Sequence, residues 1–392
     1  MIKILSIFGT RPEATKMIPL IHELEKNPHI ESVVCVTAQH REQLDQVLEL
    51  FKVKPDYDLD IMKHRQTSTD IFVNVLVGID KVIKEVMPDM LLVHGDTATT
   101  FIASLAAFYN KVRVGHVEAG LRSFNKYSPF PEEMNRKLTD AVADVFFAPT
   151  KVSKANLMAE GISEEHIYIT GNTAVDAMKY FLDKDFQFYT EELKEIDYDN
   201  KRIIAVTAHR GENIGKPLEN LFNALKRIVQ RYEDVEVVYP VHLNPAVREI
   251  AFRVLRDVER VHLIEPIAMD EMHNLMDRSF MVVTDSGGLQ EEVPSLGKPL
   301  LVARTETERP EAIEFGTLKL VGVEEEDIFK AIELYLNNKE EYQKMAAAIN
   351  PYGDGYAAER IVESLLHYFG INSKRPEDYE PKIKTIISGK KS

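Results

Sequence analysis

Asp96, Glu118, Glu132 and His209 are residue types that move protons, and their placement in the chain is uneven. Asp96 in "LLVHGDTATT", Glu118 in "VGHVEAGLRS" and His209 in "VTAHRGEN" each fall at or just beyond the end of an apolar run. Glu132 opens a helical pattern after Pro129 and Pro131 in "YSPFPEEMNRK". Carboxylates facing a sugar suit removal of a proton from carbon, donation of a proton, and stabilisation of oxocarbenium-like charge. Plainer roles exist for some of them. Asp96 could cap a helix beginning near Thr97, and one of Glu132 and Glu133 could compensate a helix dipole.

A second group of residues suits an anion. In "MVVTDSGGLQEEVPSLGKP" a short strand runs into Ser286, Gly287 and Gly288, whose amides can approach a phosphate. Glu291 fits a dipole role, whereas Glu292 is placed to take a ribose diol, so the ligand expected here is a nucleotide. In "FGTRPEATK", Thr10 with Glu13 fits a capping box and Pro12 the first helical turn. Arg11 does not fit, because a cation in a first turn opposes the dipole unless an anion neutralises it. Arg11, with Lys16 about one turn on, is therefore a phosphate-binding candidate. Neither loop matches G-x-G-x-x-G or G-x-x-x-x-G-K-[ST], so nicotinamide and P-loop chemistry lose their usual support. His94 with Asp96 and His116 with Glu118 are spaced for one strand face, but no third ligand is specified and no metal site is expected.

These residues need a scaffold, and the apolar pattern supplies one. Strand-like runs occur at Ile2–Phe8, Ser32–Thr37, Met90–His94, Val112–Val117, Val145–Ala148 and Ile167–Thr170. A second set follows at Arg202–Val206, Val235–Pro240, Val261–Ile264, Met281–Thr284, Pro299–Val302 and Leu318–Val321. Amphipathic stretches such as "LENLFNALKRIVQRY" lie between them. Apolar strands alternating with helices imply parallel sheets covered on both faces, with ligands bound beyond the carboxyl ends of the strands. The charged span "FLDKDFQFYTEELKEIDYDNK" interrupts the rhythm and reads as the boundary between two α/β halves.

The chain has 392 residues and a formal net charge of -15, enough length for two domains and the wrong charge for a nucleic-acid binder. Cys35 is the one cysteine; it cannot form an intrachain disulfide and points to a reducing compartment. "MIKILSIF" is too short for a signal core or a membrane span, so a cytoplasmic protein with no membrane insertion is expected.

Taken in order, "FGTRPEATKMIPL", "VTAQHREQLDQVL", "LVHGDTATT", "GHVEAGLRS", "YSPFPEEMNR", "ITGNTAVDA", "TDSGGLQEEVPSLGKP", "TERPEAIEFGT" and "NPYGDG" resemble the non-hydrolysing UDP-N-acetylglucosamine 2-epimerases, from about Ile4 to about Leu366. The resemblance implies a GT-B-like α/β fold in which two Rossmann-like domains with parallel sheets face a central cleft, and a homodimer. It divides the chain into an N-terminal domain (1–180), a connecting segment (181–201), a UDP-binding domain (202–366) whose last helices pack back on the first, and a polar tail (367–392). It implies reversible conversion of UDP-GlcNAc to UDP-ManNAc, which supplies ManNAc for cell-surface polysaccharide, with no cofactor. By motif, Asp96, Glu118, Glu132 and His209 correspond to the catalytic residues. Arg11, Lys16, Ser286, Gly287, Gly288 and Glu292 correspond to the UDP-binding set. Gln39, Gln43, Arg65, Arg210 and His242 correspond to a second UDP-GlcNAc site that activates bacterial members. A GT-B glycosyltransferase and a hydrolysing epimerase that releases ManNAc and UDP are the alternatives.

Overall fold

The computed structural model describes residues 1–38, 41–62 and 67–381. Cα packing separates two compact units, Met1–Tyr180 with Tyr352–Glu380, and a second built on Phe181–Pro351. The first unit holds β1 (Ile2–Phe8), β2 (Ile30–Val36), β3 (Tyr57–Asp58), β4 (Met90–His94), β5 (Arg113–Val117), β6 (Val145–Ala148) and β7 (Ile167–Ile169). They form one parallel sheet in the order β3-β2-β1-β4-β5-β6-β7. The second unit holds β8 (Arg202–Thr207), β9 (Val235–Pro240), β10 (Val261–Ile264), β11 (Met281–Thr284), β12 (Leu300–Val302) and β13 (Lys319–Leu320). Their order is β10-β9-β8-β11-β12-β13, again all parallel.

Both sheets run outward in two directions from a central pair, β1/β4 in the first and β8/β11 in the second. That reversal of strand order is where a doubly wound sheet opens a crevice beyond its strand ends, because the crossover helices leave it on opposite sides. Leu5, Ile7, Leu91 and Val93 lie in a buried cluster with Val75, Ile79, Ala103 and Ala107 of the helices above them. In the second unit Ile204, Val206, Val237 and Val283 pack with Leu221, Phe222, Leu225 and Ile332. Each fully buried aliphatic side chain contributes about 1.5–3 kcal/mol relative to exposure, so these cores hold the strand ends still.

The sequence pattern misses β3, since two residues show no periodicity. Tyr57 and Asp58 are drawn into the sheet by backbone pairing with Cys35 and Val36. β2 begins two residues earlier than the apolar run, at Ile30 opposite Ile2. The stretch beyond 366 is not simply a polar tail. The helix Ala357–Tyr368 belongs to the first unit, Tyr379 is buried, and its N–H donates to Ile169 O at 2.7 Å while Asp378 Oδ1 accepts from Ile169 N at 3.0 Å. β7 is the edge of the first sheet, and its exposed backbone groups take these residues as partners.

Cys35 is buried in the first sheet, and burial pushes its thiol up to about 12. Among the described residues no helix is long and apolar enough to cross a membrane.

Candidate functional site

In the first unit the polar residues gather beyond β1, β4 and β5. Glu13, in the first turn of the helix Arg11–Lys26, is buried and accepts from Thr10 N at 2.8 Å and Gly9 N at 3.1 Å. It also accepts from Thr97 Oγ1 at 2.6 Å and Thr100 Oγ1 at 3.2 Å. Burial pushes the Glu13 carboxyl up, against these donors, which pull it down. The expected capping residue is thus also a tie between the β1 and β4 loops. Thr97, not Asp96, caps the helix Ala98–Tyr109, accepting from Thr100 N at 3.1 Å. Asp96 is thereby released from the capping role. Its Oδ2 meets Arg136 Nε at 2.9 Å and Nη2 at 2.7 Å, and Asn135 Nδ2 holds its carbonyl at 2.8 Å.

Glu118 follows β5 with a φ of 65°, a left-handed conformation that costs a residue with a Cβ about 1–3 kcal/mol and persists where the surroundings enforce it. Its Oε1 lies 3.5 Å from where a Cβ on Gly95 would stand, beside Asp96, and its Oε2 accepts from Lys16 Nζ and, at 2.7 Å, from Asn172 Nδ2. Lys16 was expected at a phosphate. Its ammonium lies on this buried carboxylate, where pairing offsets desolvation of both groups. His94 Nε2 is 3.8 Å from the same Oε2, and burial holds its imidazole down at about 3, so it faces Glu118 as a neutral ring.

The helix Glu132–Val142 brings the third carboxylate. Its two leading glutamates differ: Glu133 is buried and accepts from Ser123 N at 2.9 Å, Phe124 N at 3.0 Å and Arg136 Nη1 at 3.1 Å. Glu132 Oε2 is a buried oxygen with no hydrogen-bond partner. The His116 ring is fully buried between Asp140 Oδ1 at 2.6 Å and Gly95 O at 2.7 Å, which fixes the backbone just before Asp96. Of the two histidine–carboxylate pairs weighed above as metal ligands, Asp96, His116 and Glu118 are hydrogen-bonded or ion-paired, His94 Nε2 is a buried atom without a hydrogen-bond partner, and among the described residues no group of three or more such side chains is placed to hold a metal.

The second unit repeats the plan beyond β8 and β11. Asp285 is buried and accepts from His209 N at 3.1 Å, Arg210 N at 2.9 Å and Asn213 Nδ2 at 3.2 Å. This orients His209, whose ring stacks on His242 with centroids 5.2 Å apart. Asn244 caps the helix Pro245–Leu255 through Ala246 N, 3.0 Å from its Oδ1.

The Ser286-Gly287-Gly288 turn differs from expectation in one respect. The helix that follows it, Leu289–Glu292, is only four residues long and passes into a 3-10 turn, Val293–Leu296, so a helix dipole adds little there. A Cβ on Gly287 would stand 2.8 Å from Arg210 Nη2, 2.9 Å from Glu308 Oε1 and 3.0 Å from Arg309 Nη1, so the ends of these three side chains crowd that glycine. At Gly288 only Glu292 Oε1 comes close, at 3.8 Å. Glu291 is buried against Arg309 Nε at 2.7 Å, an ion pair rather than a solvated dipole partner. Burial pushes the Glu308 carboxyl up, but Arg309, its own backbone N–H, Arg304 and Arg210 outweigh this and hold it at about 2.

Of the remaining expected residues, Arg11 is exposed at the start of its helix and Gln43 is exposed on the helix Arg41–Leu50. Arg210 Nη2 lies 3.6 Å from Glu308, and His242 Nδ1 accepts from Asn244 N at 3.1 Å. Gln39 and Arg65 lie outside the described residues. Asn172, Asp285, Arg136 and His273 escaped the sequence reading. Asn172 is 54 positions from the carboxylate it touches and Asp285 is 76 from His209, so no local pattern marks them.

Two doubly wound parallel sheets, each with its polar residues at the strand-order reversal, define a GT-B-like α/β protein of two Rossmann-like halves. The family model for UDP-N-acetylglucosamine 2-epimerase matches residues 22–366. A Bacillus subtilis UDP-N-acetylglucosamine 2-epimerase is 54% identical over 381 residues, covering 97% of this chain and 99% of that one. A Staphylococcus aureus MnaA structure with UDP superposes with a TM-score of 0.88 at 49% identity, over 97% of this chain and 100% of that one. The Neisseria meningitidis UDP-GlcNAc 2-epimerase bound to UDP-GlcNAc gives 0.86 at 48% identity, over 93% and 100%. This chain belongs to the UDP-N-acetylglucosamine 2-epimerase family.

Proposed function

We propose that the chain interconverts UDP-GlcNAc and UDP-ManNAc without hydrolysis, supplying ManNAc for cell-surface polysaccharide from the cytoplasm. The observation that carries this reading is the set of three carboxylates beyond β4 and β5 and at the following helix, of which Glu132 keeps a buried oxygen without a partner. Such an oxygen has no hydrogen bond to break before accepting a proton. C-2 of the sugar has no adjacent carbonyl to acidify its hydrogen, so removal of that proton alone would be very costly. Elimination avoids the carbanion. As the C-2 proton passes to a carboxylate, its C–H electron pair forms the C-1/C-2 double bond, and the C-1–O bond breaks with its electrons leaving on UDP. Return of UDP to C-1 of the resulting 2-acetamidoglucal, with protonation of C-2 from the opposite face, inverts that carbon. Electrons balance across the cycle, and no redox cofactor is required.

Asp96, Glu118 and Glu132 are assigned to these proton transfers and His209 to the leaving diphosphate. Arg11, Lys16, Ser286, Gly287, Gly288 and Glu292 are assigned to UDP, with Glu292 on the ribose. Lys16 also pairs with Glu118. Gln39, Gln43, Arg65, Arg210 and His242 are assigned to the activating second UDP-GlcNAc site.

One NMR time course tests the reading. With UDP-GlcNAc alone in deuterated water, UDP-ManNAc should accumulate and carry deuterium at C-2. Retention of the original hydrogen would exclude elimination, release of free ManNAc with UDP would indicate the hydrolysing reaction, and an inert substrate would favour a glycosyltransferase. Starting from pure UDP-ManNAc, turnover should lag until UDP-GlcNAc is added, because an activator must bind one state better than the other.

A homodimer is proposed on separate grounds. Val73 and Val77 on the helix Ser68–Val86 and Phe108 and Tyr109 on the helix Ala98–Tyr109 are exposed, an apolar concentration that single scattered residues do not make. Sedimentation should return twice the mass of the chain, and Val77→Glu with Tyr109→Glu should shift it toward one copy.

A further inference from the structure

The carboxylate of Glu292 points two ways. Oε1 approaches Gly288, 3.8 Å from the place a Cβ would occupy, and Oε2 lies 3.0 Å from His273 Nε2. His273 stands on the helix Met269–Arg278 and is buried. Its Nδ1 is 2.7 Å from Met269 O, and a carbonyl can only accept, so Nδ1 carries a hydrogen. The contact between Nε2 and Oε2 then needs one further proton, on the ring or on the carboxyl, and either form makes the bond. The ring is also stacked on Phe181, with centroids 4.6 Å apart and planes within 6°. Phe181 is itself held, its carbonyl accepting from Asn274 Nδ2 at 2.7 Å. Farther along that segment, Glu271 accepts from Tyr189 N and Thr190 N at 2.8 Å each. The imidazole cannot turn without losing both its stacking partner and its carbonyl.

We infer that His273 is a positioning residue for nucleotide recognition: it fixes Oε2 of Glu292 so that Oε1 stays turned toward Gly288, where a ribose diol is read. The inference rests on the assignment of Glu292 to the ribose. A long glutamate side chain otherwise has several rotamers, and ordering it in advance removes that cost from binding. Because a ribose contact is made equally in ground and transition states, its loss acts on KM and leaves kcat little moved.

The test compares binding of UDP and of 2′-deoxyuridine diphosphate by calorimetry, together with KM and kcat for UDP-GlcNAc. Wild type should prefer UDP by about tenfold, the scale of one hydrogen bond to a charged group. His273→Leu should lose that preference, bind UDP about tenfold more weakly and raise KM to match. His273→Gln, whose amide can donate to Oε2, should retain both affinity and preference. If the leucine variant does not fold, His273→Asn, too short to reach Oε2, replaces it. Glu292→Gln that keeps the preference for UDP would overturn the ribose assignment. Glu292→Gln that abolishes it while His273→Leu preserves it would overturn the role of His273 alone.

Discussion

Glu118→Gln is expected to lower kcat by about 10²- to 10⁴-fold, the range for loss of a positioned acid or base. The amide keeps the size of the side chain and an acceptor for Lys16, so the variant should fold. It removes the charge that Lys16 Nζ and Asn172 Nδ2 converge on, and with it the capacity to exchange a proton with carbon. The strained backbone at Glu118 adds to the case, since a left-handed φ of 65° is maintained here on a residue with a long charged side chain. Asp96→Asn and Glu132→Gln should each cost at least about 10²-fold in kcat by the same reasoning. Initial rates in both directions, with thermal melting as the control for folding, decide the matter. A Glu118→Gln variant with near-normal kcat would reduce that residue to a buried partner of Lys16.

Asp285→Ala should destabilise the second unit by about 2–4 kcal/mol and lower kcat as well. The side chain is buried and receives His209 N, Arg210 N and Asn213 Nδ2 at 2.9–3.2 Å. Alanine leaves the His209 and Arg210 amides without this acceptor, while Asn213 Nδ2 keeps Ala303 O at 3.2 Å, and each buried donor left unsatisfied costs about 1–3 kcal/mol. The activity loss follows from the same bonds, because the β8 loop that presents His209 is held by them. Asp285→Asn, which keeps one acceptor oxygen, should fall between the two in urea unfolding and in kcat. Wild-type stability and turnover in Asp285→Ala would show that the loop takes its shape from elsewhere.

The division between what the chain states locally and what folding adds follows interaction range. Apolar runs alternating with helical patterns determined the two parallel α/β halves, because a strand buried on both faces must be apolar throughout. Residue type at strand ends singled out Asp96, Glu118, His209 and the Ser286-Gly287-Gly288 turn, because the ends of parallel strands are where a doubly wound sheet exposes polar groups to a ligand. Tertiary structure decided what each of them touches. Thr97 takes the cap that Asp96 could have supplied, and Arg136 takes Asp96. Lys16, expected on a phosphate, meets a carboxylate 102 positions away. Gly287 lies beside the side-chain ends of Arg210, Glu308 and Arg309. His273 meets Glu292 across two elements. Hydrophobic periodicity is written within a few residues of itself and can be read from the chain. A hydrogen bond between distant loops is specified only once a sheet brings the loops' donor and acceptor atoms within about 3 Å, the range over which they interact.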